Sequence, residues 1–368
     1  LASLQAIAAF WRAKLDLRVI GVTGSVGKST TKELIFDVLC QRYRTLKNPG
    51  NQNNEIGLPL AILRLGYGYQ RAVLEMGFYV PGEISQLCAI ARPQVGVITN
   101  IGTVHAERAG SQEAIAAGKS ELVQALPAGG AAILNFDDPW VRPMAEKTSA
   151  RVLFYGLDPS AHLWADNVES NGLEGIRFRL HHKRETVSLR VPMIGRHSVH
   201  TALRAASVGL VEGLSWGEII HGMQSSQAQL RLVAVRSENG ALLIDDSYNA
   251  APESMLSSLN LLDEMQGRKI AVLGDMRELG QYERAGHELV GVRTAEVADY
   301  LLAVGDLSKI TLDAARKAGL SSARCAWVPD APQAVEHLKP MLREGDVVLI
   351  KGSHGLRMDR IVSALEVE

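Results

Sequence analysis

The segment "GVTGSVGKST" (21–30) places a glycine-rich turn, a lysine and two hydroxyls directly behind the apolar run "RVIGV" (18–22). Gly24 and Gly27 let backbone N–H groups turn inward around phosphate oxygens. Lys28 would pair with the β/γ charge of a nucleotide, and Ser29 would offer a hydroxyl to Mg²⁺. A helix starting near Lys28 adds its positive end, and Leu34, Ile35, Val38 and Leu39 give that helix a buried face. Thr23, Gly24, Ser25, Val26, Gly27, Lys28, Ser29 and Thr30 are therefore the candidate nucleotide-binding residues. The strict GxxxxGK spacing asks for glycine at position 22, where the chain has Val22 with Gly21 upstream. A purely structural glycine turn has no use for a lysine and a hydroxyl at these places. The loop says that phosphates bind; it does not say where a phosphoryl group goes.

Three further side chains bear on that question. "AVLEMG" ends an apolar run at Glu75, and a carboxylate at a neighbouring strand end can hold Mg²⁺ directly or through water. In "ITNIGTVHAERAGSQEAIAAGKSEL" (98–122), His105 falls in a loop just after a strand end and Lys119 falls inside a helix. Alone, a loop histidine reads as an ordinary hydrogen-bonding group and a helical lysine as a solvated charge.

The elements that must position these residues follow from hydrophobic periodicity. Residues 3–15 read as an amphipathic opening helix. After it, 18–22, 72–75, 95–99 and 131–135 alternate with helical stretches, as in a parallel α/β sheet whose strand ends converge on one site. Between 151 and 192 the period changes to two, in "GIRFRL" and "TVSLRVPM", which predicts a small added antiparallel sheet; a helix is expected over 197–212. "SSQAQLRLVAV" (225–235) reads as a linker. Past it, 241–246, 269–275 and 300–306 end in acidic residues, and 346–353 ends in Lys-Gly-Ser. The expected fold is α/β: a central P-loop-type, mostly parallel sheet domain with a small antiparallel addition, plus a C-terminal Rossmann-like domain. The expected boundaries are 1–17 for a connecting helix, 18–229 for the central domain and 230–368 for the C-terminal one.

Bulk properties narrow the class. The chain has 368 residues, enough for two or three domains, with 46% hydrophobic and 21% charged residues. A net charge of −1 gives no support to nucleic-acid or anionic-membrane binding. The apolar runs are too short to span a bilayer. Cys40, Cys88 and Cys325 lack metal-ligand spacing and point to a reducing, cytoplasmic setting.

Taken together, "GVTGSVGKSTTKE", "NPGNQNNEIGLPLAIL", "LEMG", "TNIGTVHAERAGS", "GKSEL" and "GRHSVHTALRAA" resemble the Mur ligase superfamily, ATP-dependent amino acid and peptide ligases of cell-wall precursor assembly. "IDDSYNAAPESM" and "LGDMRELG" resemble the branch that adds D-alanyl-D-alanine to a UDP-muramoyl tripeptide. The Asp-Asn-Pro motif of the diaminopimelate- or lysine-adding branch is absent. The resemblance implies transfer of the γ-phosphoryl group of ATP to a substrate carboxylate, followed by attack of an amine on the acyl phosphate. It places Ser29 and Glu75 near one Mg²⁺ and His105 near a second, and makes Lys119 a carbamate that could join the metal ligands. Lys28, Glu75, His105 and Lys119 become the candidate catalytic residues. Arg231 matches a position that reaches the phosphates when the domains close, and Asp246, Tyr248 and Asn249 match positions near the ribose and adenine. Asn51, Asn53 and Asn54 are candidates for the carboxyl substrate, Lys351 and Ser353 for the incoming dipeptide. A monomer acting on small molecules is implied.

The chain also departs from the family. Ser198 and Thr201 stand where "GxHNxxN" has asparagines, and Ala251 where "NANP" has one, which weakens the expected adenine contacts. The family's N-terminal UDP-sugar-binding domain has no counterpart in these residues. It is expected either upstream of Leu1, as roughly 100 further residues, or not at all. Two other readings stay open: a related ligase with a different carboxylate and amine, as in folylpolyglutamate synthase, or a nucleotide-binding module without catalysis.

Overall fold

The runs that read as continuous apolar strands are buried on both faces, as parallel strands covered by helices must be. A computed structural model describes residues 1–226 and 233–367, and the chain divides into two units, Leu1–Ala228 and Gln229–Glu368.

In the first unit, the parallel part of the sheet is built from β1 (Arg18–Thr23), β2 (Thr45–Lys47), β3 (Arg71–Glu75), β4 (Val95–Ile98), β5 (Ala131–Asn135) and β6 (Arg151–Gly156). β7 (Leu163–Ser170), β8 (Ile176–His182) and β9 (Glu185–Val191) complete it. Among the described residues the order is β2-β3-β1-β4-β5-β6-β7-β8-β9, parallel from β2 to β7 and antiparallel from β7 to β9. The antiparallel strands expected after 151 are thus present, but they continue the edge of the parallel sheet. The first segment of that stretch, β6, is parallel: Ala131 to Asn135 pair in register with Arg151 to Tyr155. Only its first residue, Arg151, is exposed, as suits a strand inside the sheet.

One layer of helices comprises α1 (Ala2–Ala13), α3 (Gly57–Leu63), α4 (Glu83–Ala91) and α6 (Gln112–Gln124), with the short α5 (Ala106–Ala109) leading into α6. The other holds α2 (Lys28–Leu39), α7 (Ser198–Val211) and α8 (Trp216–Gln224). Ile20, Val22, Val97, Ile133 and Tyr155 of the sheet meet Leu34, Ile35, Val38, Leu203 and Ala206 of these helices in one core. At the C-terminal end of α7, the buried carboxylate of Glu212 accepts from Arg18 and Arg71, at the starts of β1 and β3. This clasp ties α7 to the same strands whose opposite ends carry Thr23 and Glu75.

The second unit has β10 (Val233–Arg236), β11 (Leu242–Asp245), β12 (Arg268–Gly274), β13 (Tyr300–Val304), β14 (Cys325–Val328) and β15 (Asp346–Lys351). Their order is β10-β11-β15-β12-β13-β14, all parallel except β10, which pairs antiparallel with β11. The end of the segment read as a linker is therefore edge strand β10. Helices α9 (Pro252–Glu264), α10 (Glu283–Val297), α11 (Ser308–Lys317), α12 (Ala331–Leu338) and α13 (Asp359–Leu365) alternate with the strands. Ile270, Val272, Leu302, Val348 and Ile350 form the centre of this unit's own core.

Removing one partner of a buried ion pair leaves the other charge uncompensated. Glu212→Ala is expected to destabilise the protein by about 3 kcal/mol, read as a lower urea midpoint with an unchanged denaturant slope.

Candidate active site

The phosphate loop leaves β1 at Thr23 and enters α2 at Lys28, and the residues after β4 hold its backbone. The Ser25 N–H donates to the Asn100 carbonyl at 2.9 Å, and the Val26 N–H donates to Asn100 Oδ1 at 2.9 Å. Thr99 Oγ1 donates to the Val26 carbonyl at 2.7 Å, while Ser25 Oγ accepts from the Gly102 N–H at 2.8 Å. Gly24 has φ +145°, and a Cβ there would lie 1.8 Å from Thr99 Oγ1, so only glycine fits. Gly27, at φ +81°, is the left-handed cap from which α2 begins. Thr23 donates its hydroxyl to the Met76 carbonyl at 2.9 Å and so joins β1 to the chain after β3. Val26 and Thr30 are half-buried along the loop.

Glu75 sits 2% exposed at the end of β3, its oxygens shared among three neighbours. Ser29 Oγ donates to Oε2 at 2.6 Å and Asn53 Nδ2 donates to Oε1 at 2.8 Å. Lys32 Nζ lies 3.9 Å from Oε2 and donates to the Asn48 carbonyl at 2.9 Å. Asn48 in turn accepts from the Glu75 N–H and donates to the Glu75 carbonyl. Lys32 is 1% exposed; one turn after Lys28, it fixes the 48–50 loop against the carboxylate. Sequence reasoning missed Lys32, Asn48 and Asn100. The signal for Lys32 was its spacing from Lys28, which puts both ammoniums on one helical face.

Lys28 Nζ donates to the Gly24 and Ser25 carbonyls at 2.8 and 3.1 Å. Lys119 reaches the same place from α6: 1% exposed, it donates to the Gly24 carbonyl at 3.0 Å and lies 4.6 Å from the Phe78 ring centroid. Burial, and then the charge of Lys28, push its pKa well below the ordinary lysine range, favouring the neutral amine. Gly118 makes this possible, since a Cβ there would lie 2.1 Å from the Phe78 ring. His105 precedes α5 with φ +67° and meets the Tyr79 ring edge-on at 4.8 Å. Arg204 of α7 lies against the loop at Gly27.

Among the described residues, no three His, Cys, Asp or Glu side chains are grouped to ligate a metal by themselves. Ser29 and Glu75 nonetheless pair two hard oxygens beside the phosphate loop. That donor set fits Mg²⁺, which keeps several waters and needs only one or two protein oxygens.

The polar run at 51–54 divides. Asn53 turns to Glu75, Asn54 Oδ1 accepts from the Gly57 N–H at 2.8 Å at the start of α3, and Asn51 is exposed. In the second unit, Asp246 and Lys351 form a 2.6 Å ion pair at the ends of adjacent strands β11 and β15. Ser258 Oγ donates to the same carboxylate at 2.5 Å, and Lys351 also donates to the Asn249 carbonyl at 3.0 Å. Asn249 Oδ1 accepts from the Ala250 N–H, Ser353 Oγ accepts from the Arg277 N–H, and Tyr248 meets His354 edge-on. Arg231 lies outside the described residues.

Family comparison agrees with this arrangement. The Mur ligase middle domain matches residues 22–209, and the Mur ligase glutamate ligase domain matches residues 230–354. The UDP-N-acetylmuramoyl-tripeptide--D-alanyl-D-alanine ligase of Bacillus subtilis (strain 168) is 34% identical over 99% of this chain and 79% of its own length. The Escherichia coli (strain K12) protein of the same name is 33% identical over 98% and 79%. Among solved structures, MurF from Acinetobacter baumannii superposes with a TM-score of 0.91 at 30% identity, covering 98% of this chain and 79% of that one. MurF ligase from Thermotoga maritima, in complex with ADP, superposes with a TM-score of 0.86 at 29% identity, covering 99% and 82%.

A methyl group at Gly24 displaces either Thr99 or the loop. Gly24→Ala is expected to weaken Mg·ADP binding by about a hundredfold, measured by isothermal titration calorimetry.

Proposed function

The chain belongs to the Mur ligase family, and from that premise we propose that it joins D-alanyl-D-alanine to the terminal carboxylate of a UDP-N-acetylmuramoyl tripeptide in peptidoglycan precursor synthesis, with conversion of ATP to ADP and phosphate. The observation that carries the reading is the convergence of Lys28 and buried Lys119 on the Gly24 carbonyl, beside the Ser29–Glu75 pair. A lysine charge and a buried amine able to become anionic, side by side at the phosphate loop, suit a polyphosphate and a carboxylate brought together with a metal. The carboxylate and amine are those in the names of the relatives from Bacillus subtilis and Escherichia coli.

In this mechanism the loop N–H groups and the N-terminus of α2 hold the phosphate oxygens, and Lys28 draws charge toward the β and γ groups. A carboxylate oxygen of the tripeptide attacks the γ-phosphorus, the bond to the β-phosphate bridging oxygen breaks, and an acyl phosphate and ADP result. The amine of D-alanyl-D-alanine then adds to the acyl carbon, forming a tetrahedral intermediate. The C–O bond to phosphate breaks and the amine proton is lost. Ser29 and Glu75 would hold one Mg²⁺ and His105 a second, supplying charge neutralisation on donor and acceptor. Asn53 and Lys32 keep the Glu75 carboxylate aimed toward Ser29. The neutral amine of Lys119 is suited to add to CO₂, forming an N–C bond with loss of a proton. An anionic carbamate would then replace a neutral amine beside Lys28 and offer hard oxygens of the kind Mg²⁺ prefers.

No described helix is long and apolar enough to cross a membrane, and all three cysteines are free. We take the protein to act as a monomer in the cytoplasm.

The experiment is a phosphate-release assay on the full-length protein with ATP, Mg²⁺, D-alanyl-D-alanine and the UDP-muramoyl tripeptide. Release is expected only with both acceptor and amine, and Lys119→Ala is expected to lose at least about a hundredfold in turnover. Release with neither, or normal turnover of Lys119→Ala at saturating ATP and Mg²⁺, contradicts the mechanism.

A further inference from the structure

Arg204 lies in the middle of α7, 4% exposed, and its contacts are to neutral groups. One Nη donates to Thr201 Oγ1 at 2.7 Å. The other approaches the Tyr155 hydroxyl at 3.4 Å, and the guanidinium carbon lies 5.7 Å from the Tyr155 ring centroid. Tyr155 is itself fully buried, with its pKa pushed up to about 12 by burial, so it stays an uncharged phenol. Nε of Arg204 has no hydrogen-bond partner among the described residues. A guanidinium cannot shed its proton, so a buried one with neutral partners and an orphaned N–H is costly unless an anion arrives.

The direction of the side chain identifies the anion. The Nη that donates to Thr201 lies 3.4 Å from where a Cβ on Gly27 would sit, so the guanidinium packs against the last residue of the phosphate loop. Gly27 is also the cap whose following N–H groups open α2. Thr201, which orients the guanidinium, stands where the resembling family carries an asparagine. The family's amide pair is thus replaced here by a hydroxyl that steers a cation.

We propose that Arg204 is a nucleotide-binding residue of this chain, donating to the polyphosphate of bound ATP or ADP on the Gly27 side of the loop. The assignment deepens the proposed function and rests on its nucleotide reading. Lys28 and Arg204 then hold the polyphosphate from two sides, with Thr201 fixing the guanidinium and Tyr155 bracing it from below. A planar fork suits this role, because it can donate to two phosphate oxygens at once.

The test uses the full-length protein and its variants Arg204→Met and Arg204→Lys, with Mg·ADP affinity from isothermal titration calorimetry and ligand-free melting temperature from calorimetric scans. Arg204→Met is expected to bind ADP about tenfold or more weakly, Arg204→Lys to recover only part of the loss because an ammonium lacks the two-point fork, and ligand-free Arg204→Met to melt no lower than wild type. The last result separates binding from structure, since removing an uncompensated buried charge should not harm the free fold. ADP affinity in Arg204→Met within twofold of wild type overturns the assignment. So does an Arg204→Met protein that melts lower than wild type. If wild type fails to bind Mg·ADP, the nucleotide reading itself falls and the assignment falls with it.

Discussion

The gathering of basic side chains around the phosphate loop is the constraint on which the first unit depends. Lys28 and Lys119 donate to one carbonyl, that of Gly24, and Arg204 lies against Gly27 three residues away. The Glu75 carboxylate is engaged by Ser29, Asn53 and Lys32, and Lys32 also pairs with Glu33 at 3.2 Å. The charge of Lys28, after burial itself, favours the neutral amine of Lys119 in this partly dry interior. Phosphate would meet the charge of Lys28, and conversion of the neutral Lys119 amine to a carbamate would add an anionic group with hard oxygens beside it.

The scaffold fixes backbone and side chains from several elements at once. Thr99 and Asn100, just past β4, accept from and donate to the loop so that its carbonyls and N–H groups keep their directions. Behind them, the Tyr155 hydroxyl reaches the Ile98 and Thr99 carbonyls from β6, two strands away in the sheet. α6 is started by Ser111, whose hydroxyl accepts from the Ala114 N–H, and delivers Lys119 under Phe78. α7 carries Arg204 at its middle and is clasped at its end through Glu212 to the starts of β1 and β3. The basic side chains are thus held by elements that belong to the central sheet and its helices, not by loops alone.

Residues whose role is set locally were legible in the sequence. The strand–loop–helix of 18–39 and the strand end at Glu75 needed only apolar runs, glycine placement and one lysine–hydroxyl pair. Residues whose role depends on distant partners were not. Asn100 looks like an ordinary post-strand polar residue until Val26, far back in the chain, is seen to donate to it. Lys32 and Arg204 look like solvated helical charges, because helical periodicity does not reveal which face another element will cover. Asn54, Asn249 and Ser353 show the converse. Chosen as ligand candidates, all three accept from backbone N–H groups, Asn54 and Asn249 from close-range turn neighbours and Ser353 from the distant Arg277. Short strands β2, β10 and β14 were also missed, since a few residues carry too little periodicity to stand out.

The central claim is that the lysines gathered at the phosphate loop serve to move a phosphoryl group onto a carboxylate. The direct measurement is the fate of oxygen-18 placed in the terminal carboxylate of the UDP-muramoyl tripeptide during turnover with ATP and D-alanyl-D-alanine. An acyl phosphate intermediate requires one labelled oxygen to leave with the released phosphate, detectable by mass spectrometry. Released phosphate free of the label, at a rate equal to product formation, would contradict the account.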